Sequence, residues 1–229
     1  YAAGRTPYPC ALCNQHLKFG DLVSRMELLG SDVLVTGHYA RVERLADGSV
    51  GLMRAVDDAK DQTYALALVP YEALARARFP LGGLEKDAVR DHAVRLGLQV
   101  WNKPESQDLC FVPDGDYAGF ATSKLGETRG TAPGEFRDTE GRVLGTHRGI
   151  LHYTVGQRRG LGVSGAERLY VLRIDAPSNI VTLGPREALE RTGLVTAAMN
   201  WLPPTPHADG TRVEAKLRYT HPPAAARVS

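Results

Sequence analysis

The feature that most limits how this chain can fold is a change of period partway along it. Up to about residue 101, apolar residues recur at helical spacing. From about Gly130, short alternating runs appear instead, separated by frequent glycine and proline. Leu17, Leu22, Val23, Met26 and Leu29 share one helical face; Asn14 is placed to cap that helix and Gly30 to stop it. Residues 32–36 then read as a short buried strand ending at Gly37. A helix feeding such a strand is the αβ step of a parallel sheet, whose ligands gather at the carboxyl ends of the strands. Residues 41–54 alternate around Asp47-Gly48, a hairpin signal. Helical periods follow at 63–69, 71–77 and 85–96, the last closed by Gly97, with polar loops at 57–63 and 102–108. Beyond Gly130 the alternating runs at 135–144, 168–174, 180–183, 194–201 and 212–219 predict a small β-barrel.

A chain of 229 residues can bury a full core and divides into two or three domains. Its 43% hydrophobic and 24% charged content is that of a globular protein, with no apolar run of about 18 residues and no signal-peptide pattern. A formal charge of +2 is nearly balanced, so a nucleic-acid surface has to come from local clustering. Arginine greatly outnumbers lysine, which suits phosphate forks, although a GC-rich or thermophilic coding bias produces the same excess. An odd count of 3 cysteines without a secretory signal points to a reducing, cytoplasmic setting. The chain opens on Tyr1 and stops at Ser229 without a closing element, as a fragment would.

Cys10 and Cys13 stand three positions apart, after Pro7-Tyr8-Pro9 and before the first helical run; Cys110 is far downstream. With Asn14 opening the helix, Cys13 would meet the positive end of the helix dipole, which favours thiolate. A zinc or redox pair is the competing reading: His16 and Cys110 could complete a four-ligand set, but a second CxxC is absent. Cys110 could simply pack as a small hydrophobe, yet the polar approach 105–108 is costly for a packed residue. Lys60-Asp61-Gln62 offers donor, acceptor and amide in succession, though a solvated helix cap explains it as well. In HYTVGQRRGLG, residues 152–162, two arginines between glycines let a backbone approach a phosphodiester while guanidiniums fork onto it. Arg218-Tyr219 pairs a fork with a stacking face for unstacked bases.

Taken together, AGRTPYPCALCN (3–14), Thr36-Gly37-His38-Tyr39, Lys60-Asp61-Gln62, Leu109-Cys110-Phe111, residues 152–162 and Arg218-Tyr219 resemble the tRNA-specific 2-thiouridylases in order and spacing. These tRNA-uridine 2-sulfurtransferases place sulfur on C2 of the wobble uridine. The resemblance implies an α/β plus β fold class. Residues 1–56 would be the remainder of an ATP-pyrophosphatase nucleotide-binding domain, of the adenine nucleotide alpha hydrolase type. Residues 57–128 would form a central helical domain carrying the Cys110 loop, and 129–229 an incomplete tRNA-binding β-barrel. It also implies ATP with Mg, although the family's Ser-Gly-Gly-x-Asp-Ser loop does not occur here, so this stretch alone is expected to be inactive.

Position by position, Cys13 matches the family's first catalytic cysteine and Cys110 the persulfide carrier. Gly37 matches a nucleotide contact, and Tyr8, Pro9 and Cys10 lie where the target base is touched. Lys60, Asp61, Gln62, Arg218 and Tyr219 lie where tRNA is touched. The implied partners are the anticodon loops of glutamate, glutamine and lysine tRNAs and a sulfur donor protein such as a cysteine desulfurase or sulfur relay protein, with no membrane. Some members carry Asp where this chain has Cys10. The extra thiol opens an alternative in which Cys10, Cys13 and Cys110 hold a 4Fe–4S cluster that delivers sulfide. A reading from another class is a non-catalytic RNA-binding or zinc-stabilised module.

Overall fold

A computed structural model describes residues 2–103, 109–112, 115–126, 128, 130–163, 168–218 and 221–229. The chain divides into two compact units. The first joins Tyr1–Tyr8 to Ser106–Thr196, and the second joins Pro9–Glu105 to Ala197–Ser229.

The second unit begins with one continuous helical run. It opens as α1 (Pro9–Leu12), widens into a π-helix over Cys13–Asp21, and returns to α geometry in α2 (Leu22–Leu28). Proline at the first helical position has its φ pre-set and lacks only an N–H that would be unpaired anyway. In the widened stretch Leu22 N–H donates to the Leu17 carbonyl, five residues back. That spacing brings Asn14 and Phe19 to the same buried side, where they are 3% and 2% exposed. Gly30, at φ 68°, ends the run as expected, since its N–H turns back to the Glu27 carbonyl.

The apolar stretch after Gly30 forms only β1 (Leu34–Val35), paired in parallel with β4 (Ala77–Arg78). The parallel step is present, but Val35 is 61% exposed, so the strand is not the buried one its composition predicts. The hairpin is present as read: β2 (Ala40–Arg44) and β3 (Val50–Arg54) pair antiparallel from Ala40↔Arg54 to Arg44↔Val50. Gly48 turns the chain at φ 83°. The predicted helices appear as α3 (Thr63–Leu66), α4 (Tyr71–Ala75) and α5 (Lys86–Arg95), with Gly97 at φ 66° beyond the last. Phe19, Ala40, Leu66, Val69, Ala73, Leu74, Ala77 and Phe79 form the core of this unit.

In the first unit, α6 (Tyr117–Leu125) precedes a four-stranded sheet made of β5 (Gly134–Arg137), β6 (Val143–His147), β7 (Tyr170–Asp175) and β8 (Ile180–Gly184). The order is β6-β5-β8-β7, with β5 and β8 parallel and the outer pairs antiparallel. Its core gathers Phe136, Ile150, Tyr153, Leu161, Val171, Val181 and Leu183. Buried His147 meets Phe136 and Tyr153 edge-on at 5.3 and 5.6 Å, while its Nδ1 accepts from Gly149 N–H. The strands expected of one barrel over 129–229 thus fall in two sheets. The run at 194–201 forms no strand. Residues 212–219 contribute β9 (Arg212–Ala215), which pairs with β10 (Ala224–Arg227) in the second unit. Among the described residues the four-stranded sheet does not close on itself.

The tightest approach in the second unit is at Gly82, in the turn Pro80–Gly83, where a Cβ would overlap the Ala40 carbonyl. Gly82→Ala should therefore push this turn off β2 and lower the thermal midpoint by several degrees or more. Calorimetry against Gly83→Ala, where a Cβ meets open space, checks this.

Candidate functional site

Both paired thiols lie on the opening helical run, and the structure corrects how. The run starts at Pro9, not Asn14, so Cys10 occupies the first turn and Cys13 lies one turn further in. Asn14 is not a cap. Its Nδ2 donates to the Ala65 carbonyl of α3 at 3.0 Å, which fixes the helical run against α3. Cys13 therefore does not stand at the helix start, where the sequence reading places it. Proline at a first helical position was the sequence signal for this start. Spaced three apart on a helical run, the two thiols are neighbours on one side of it, each half-buried.

Cys110 is exposed, which removes the reading of a packed hydrophobe. It sits on a tight turn in which Val112 N–H donates to the Leu109 carbonyl at 2.9 Å, and buried Val112 anchors that turn. Next to it the Phe111 ring meets Phe120 of α6 at 5.4 Å, with Lys124 Nζ 5.8 Å from the Phe120 centroid. The polar approach at 105–108 lies outside the described residues. None of the three cysteines is in a disulfide. Among the described residues no three His, Cys, Asp or Glu side chains gather closely enough to hold a metal ion.

Gly37 is exposed directly after β1, at the strand's carboxyl end, and an added Cβ would touch only Leu81 at 3.5 Å. The residues flanking it hold it in place. Thr36 Oγ1 and His38 Nδ1 share a hydrogen bond of 2.7 Å, and the buried His38 ring lies against Phe19 and Phe79. Burial first, and the charge of Lys18 second, push the His38 imidazole down to about 4, so it is neutral at physiological pH. Sequence reasoning singled out the whole stretch 36–39 but gave a role to the glycine alone, because neither a threonine nor a histidine announces burial.

Lys60-Asp61-Gln62 is not a solvated cap. Asp61 is 4% exposed; one carboxylate oxygen accepts from Ala55 N–H at 3.0 Å and the other from Thr63 Oγ1 at 2.7 Å. Gln62 exchanges two bonds with Tyr39: its Oε1 accepts Tyr39 N–H at 3.0 Å, and its own N–H donates to the Tyr39 carbonyl at 2.8 Å. Asp61 and Gln62 thereby pin both ends of the β2–β3 hairpin to the start of α3, while Lys60 is partly exposed. Tyr8 is 38% exposed and Pro9 half-buried. Arg218 is exposed in the second unit, beside Leu217, whose carbonyl accepts from Tyr64 Oη at 3.2 Å; Tyr219 lies outside the described residues.

The described residues define a class of fold, a mixed helix-and-sheet unit and a β-rich unit in one chain. Residues 1–114 match the family model described as the tRNA methyl transferase HUP domain, and residues 122–185 the one described as the tRNA methyl transferase PRC-barrel domain. Curated relatives named tRNA-specific 2-thiouridylase MnmA align with the whole chain. Those from Geotalea uraniireducens, Azorhizobium caulinodans and Magnetococcus marinus are 49%, 47% and 47% identical, with 60%, 59% and 63% of their own lengths covered. The chain belongs to the family of the tRNA-specific 2-thiouridylases, and it spans about three fifths of the length of these relatives.

Two measurements probe the site's frame. Asp61→Ala strands the Ala55 N–H in a buried position and should cost about 1–3 kcal/mol in urea unfolding, with Asp61→Asn, which keeps an acceptor, costing less. Because the folded His38 binds its proton only near 4 while the unfolded residue binds it near 6.5, its contribution is complete above pH 6.5. That contribution falls as pH drops towards 4. Denaturation at pH 7, 6 and 5 should show this loss, and His38→Gln should reduce the slope.

Proposed function

We propose that the protein catalyses ATP-dependent 2-thiolation of the wobble uridine of tRNA. The observation that carries this reading is an exposed Cys110 together with a helix-borne Cys13, in a chain nearly half identical to enzymes named for that reaction. The family models speak of methyl transfer, but three cysteines outside any disulfide suit sulfur transfer. In this reading the chain comprises a nucleotide-domain remainder (1–56), a central helical part (57–128) and a tRNA-binding β-barrel part (129–229). Gly37, open at the end of β1, contacts the nucleotide. Tyr8, Pro9 and Cys10 approach the extruded base, and Lys60, Asp61, Gln62, Arg218 and Tyr219 lie at the tRNA. For Asp61 and Gln62 that role is indirect, since their side chains shape the surface that Lys60 completes.

The chemistry follows from a poor electrophile. Transfer of adenylate from Mg-bound ATP to the C2 oxygen, with pyrophosphate released, makes AMP the later leaving group, once the base is turned out of the single-stranded anticodon loop. A donor such as a cysteine desulfurase or sulfur relay protein, itself carrying a persulfide, passes its outer sulfur to the Cys110 thiolate. The donor's S–S bond breaks and its thiolate leaves, and the exposure of Cys110 on a turn suits an approaching protein. The terminal persulfide sulfur bonds to C2 as AMP departs. Cys13 thiolate then attacks the Cys110 sulfur, breaking the S–S bond. The 2-thiouridine is released and a Cys13–Cys110 disulfide forms, which a thiol reductant reopens. The substrates are anticodon loops of the glutamate, glutamine and lysine tRNA type, and the setting is the cytoplasm. Among the described residues no helix is long and apolar enough to cross a membrane.

In the full-length protein, Cys110→Ser and Cys13→Ser should each lower thiouridine formation at least about a thousandfold, the scale of losing a covalent catalyst. Liquid chromatography of digested tRNA reads the product. Normal thiolation by Cys13→Ser, or activity abolished by iron chelation with all thiols intact, would sink the relay.

A further inference from the structure

The loop joining Tyr153 to Leu161 in the first unit is half-buried over 154–157, exposes 158–160 and is tied down by hydrogen bonds along its length. Tyr153 and Leu161 are 4% and 8% exposed, so both ends are rooted in the core. Gly156 N–H donates to the Val171 carbonyl at 2.7 Å, and Val171 N–H returns to the Gln157 carbonyl at 2.9 Å, stitching the loop to β7. The Gln157 side chain ties it internally: its Oε1 accepts Thr154 N–H at 3.0 Å and its Nε2 donates to the Arg159 carbonyl at 3.0 Å. Gly156 and Gly160, at φ 86° and 74°, supply the left-handed turns on either side of the two arginines.

Arg158 and Arg159 sit between these fixed points, and both are exposed. Among the described residues no carboxylate pairs with either. By contrast, Arg137, Arg142 and Arg173 of the same unit are held by Glu135, Asp138 and Asp175 at 2.7, 2.7 and 3.1 Å. Beside the loop opens a cleft of about 380 Å³ to which Gln157, Thr154, His152 and a third exposed arginine, Arg148, contribute. The cleft also holds Asp116, whose carboxylate accepts from Gly119 N–H at 2.9 Å at the start of α6. That negative charge disfavours an anion beside Asp116 and favours the exposed arginines of the adjoining loop as the place for one.

We propose that this loop is a phosphodiester clamp for tRNA, in which Arg158 and Arg159, aided by Arg148 on the adjoining cleft, take backbone phosphates of the substrate. Fixed backbone and unpaired planar donors are what bidentate phosphate recognition needs, and little side-chain entropy is spent in presenting them. The clamp rests on the reading that the chain acts on tRNA, and it adds a contact outside the thiol motifs and outside Lys60 and Arg218.

The test is fluorescence anisotropy of unmodified tRNA with the full-length protein across a range of salt concentrations. Arg158→Ala/Arg159→Ala should bind about tenfold more weakly at moderate salt, with a salt slope shallower by about 1.5, as for two lost phosphate contacts. Arg158→Lys/Arg159→Lys should keep the slope and recover part of the affinity. Arg142→Ala, which removes a guanidinium already held by Asp138 and Glu140, should leave both unchanged. Circular dichroism and the thermal midpoint must match wild type for the comparison to count. If wild type binds no tRNA, the functional reading fails along with the clamp. If wild type binds and the double alanine variant matches it in affinity and slope, the clamp alone is overturned, and the arginines face another partner, such as an acidic protein surface.

Discussion

A small buried latch at the start of α3 holds the second unit in register. Asp61 and Gln62 take up the backbone groups at both ends of the β2–β3 hairpin, Ala55 on one side and Tyr39 on the other. Each end would otherwise carry a backbone polar group out of water without a partner, so the latch is a requirement of burial. Its consequences run in two directions. Tyr39 follows Thr36, Gly37 and His38, so the latch sets where the exposed Gly37 emerges from β1. α3 supplies the Ala65 carbonyl that receives Asn14, so the latch also sets where the Cys13-bearing helix lies. Gly37 and the helix that carries Cys13 are thus located by one network of hydrogen bonds.

The π-helical stretch belongs to the same frame. An ordinary α-helix would turn Asn14 and Phe19 apart, leaving either the amide or the ring in solvent. The wider turn lets one reach Ala65 while the other fills the core beside Ala40 and Leu74. Phe19 and Phe79 in turn enclose the His38 ring and keep it neutral, so a polar group beside Gly37 stays inside a largely apolar wall. Packing, protonation and thiol placement are therefore coupled within one unit.

Much of the fold was legible because local rules agree with tertiary ones. Glycines at 30, 48 and 97 mark turns that only positive φ allows, and the helical periods at 63–69, 71–77 and 85–96 each formed a helix. Legibility failed where a side chain's partner is distant in sequence. Asn14 was read as a cap because Asn at a helix start commonly caps; its actual acceptor is 51 residues away. Asp61 was read as solvated because carboxylates usually are; its donors close a loop that pattern alone does not show. The residues around 212–219 formed a strand as expected, but in a sheet of their own with Ala224–Arg227.

What the sequence alone determined is the set of chemical groups and their spacing: two thiols three apart beside prolines, a third far downstream, a glycine after an apolar strand, and paired arginines between glycines. Those depend on covalent order, and they sufficed to place the chain in its family. Tertiary structure decided which groups are available to act. It moved the helix start to Pro9, turned Asp61 and Gln62 inward, left Cys110 on an open turn and left Arg158 and Arg159 exposed, with no carboxylate partner among the described residues. Exposure and hydrogen-bond partnership are properties of neighbours in space, and one-dimensional spacing does not contain them.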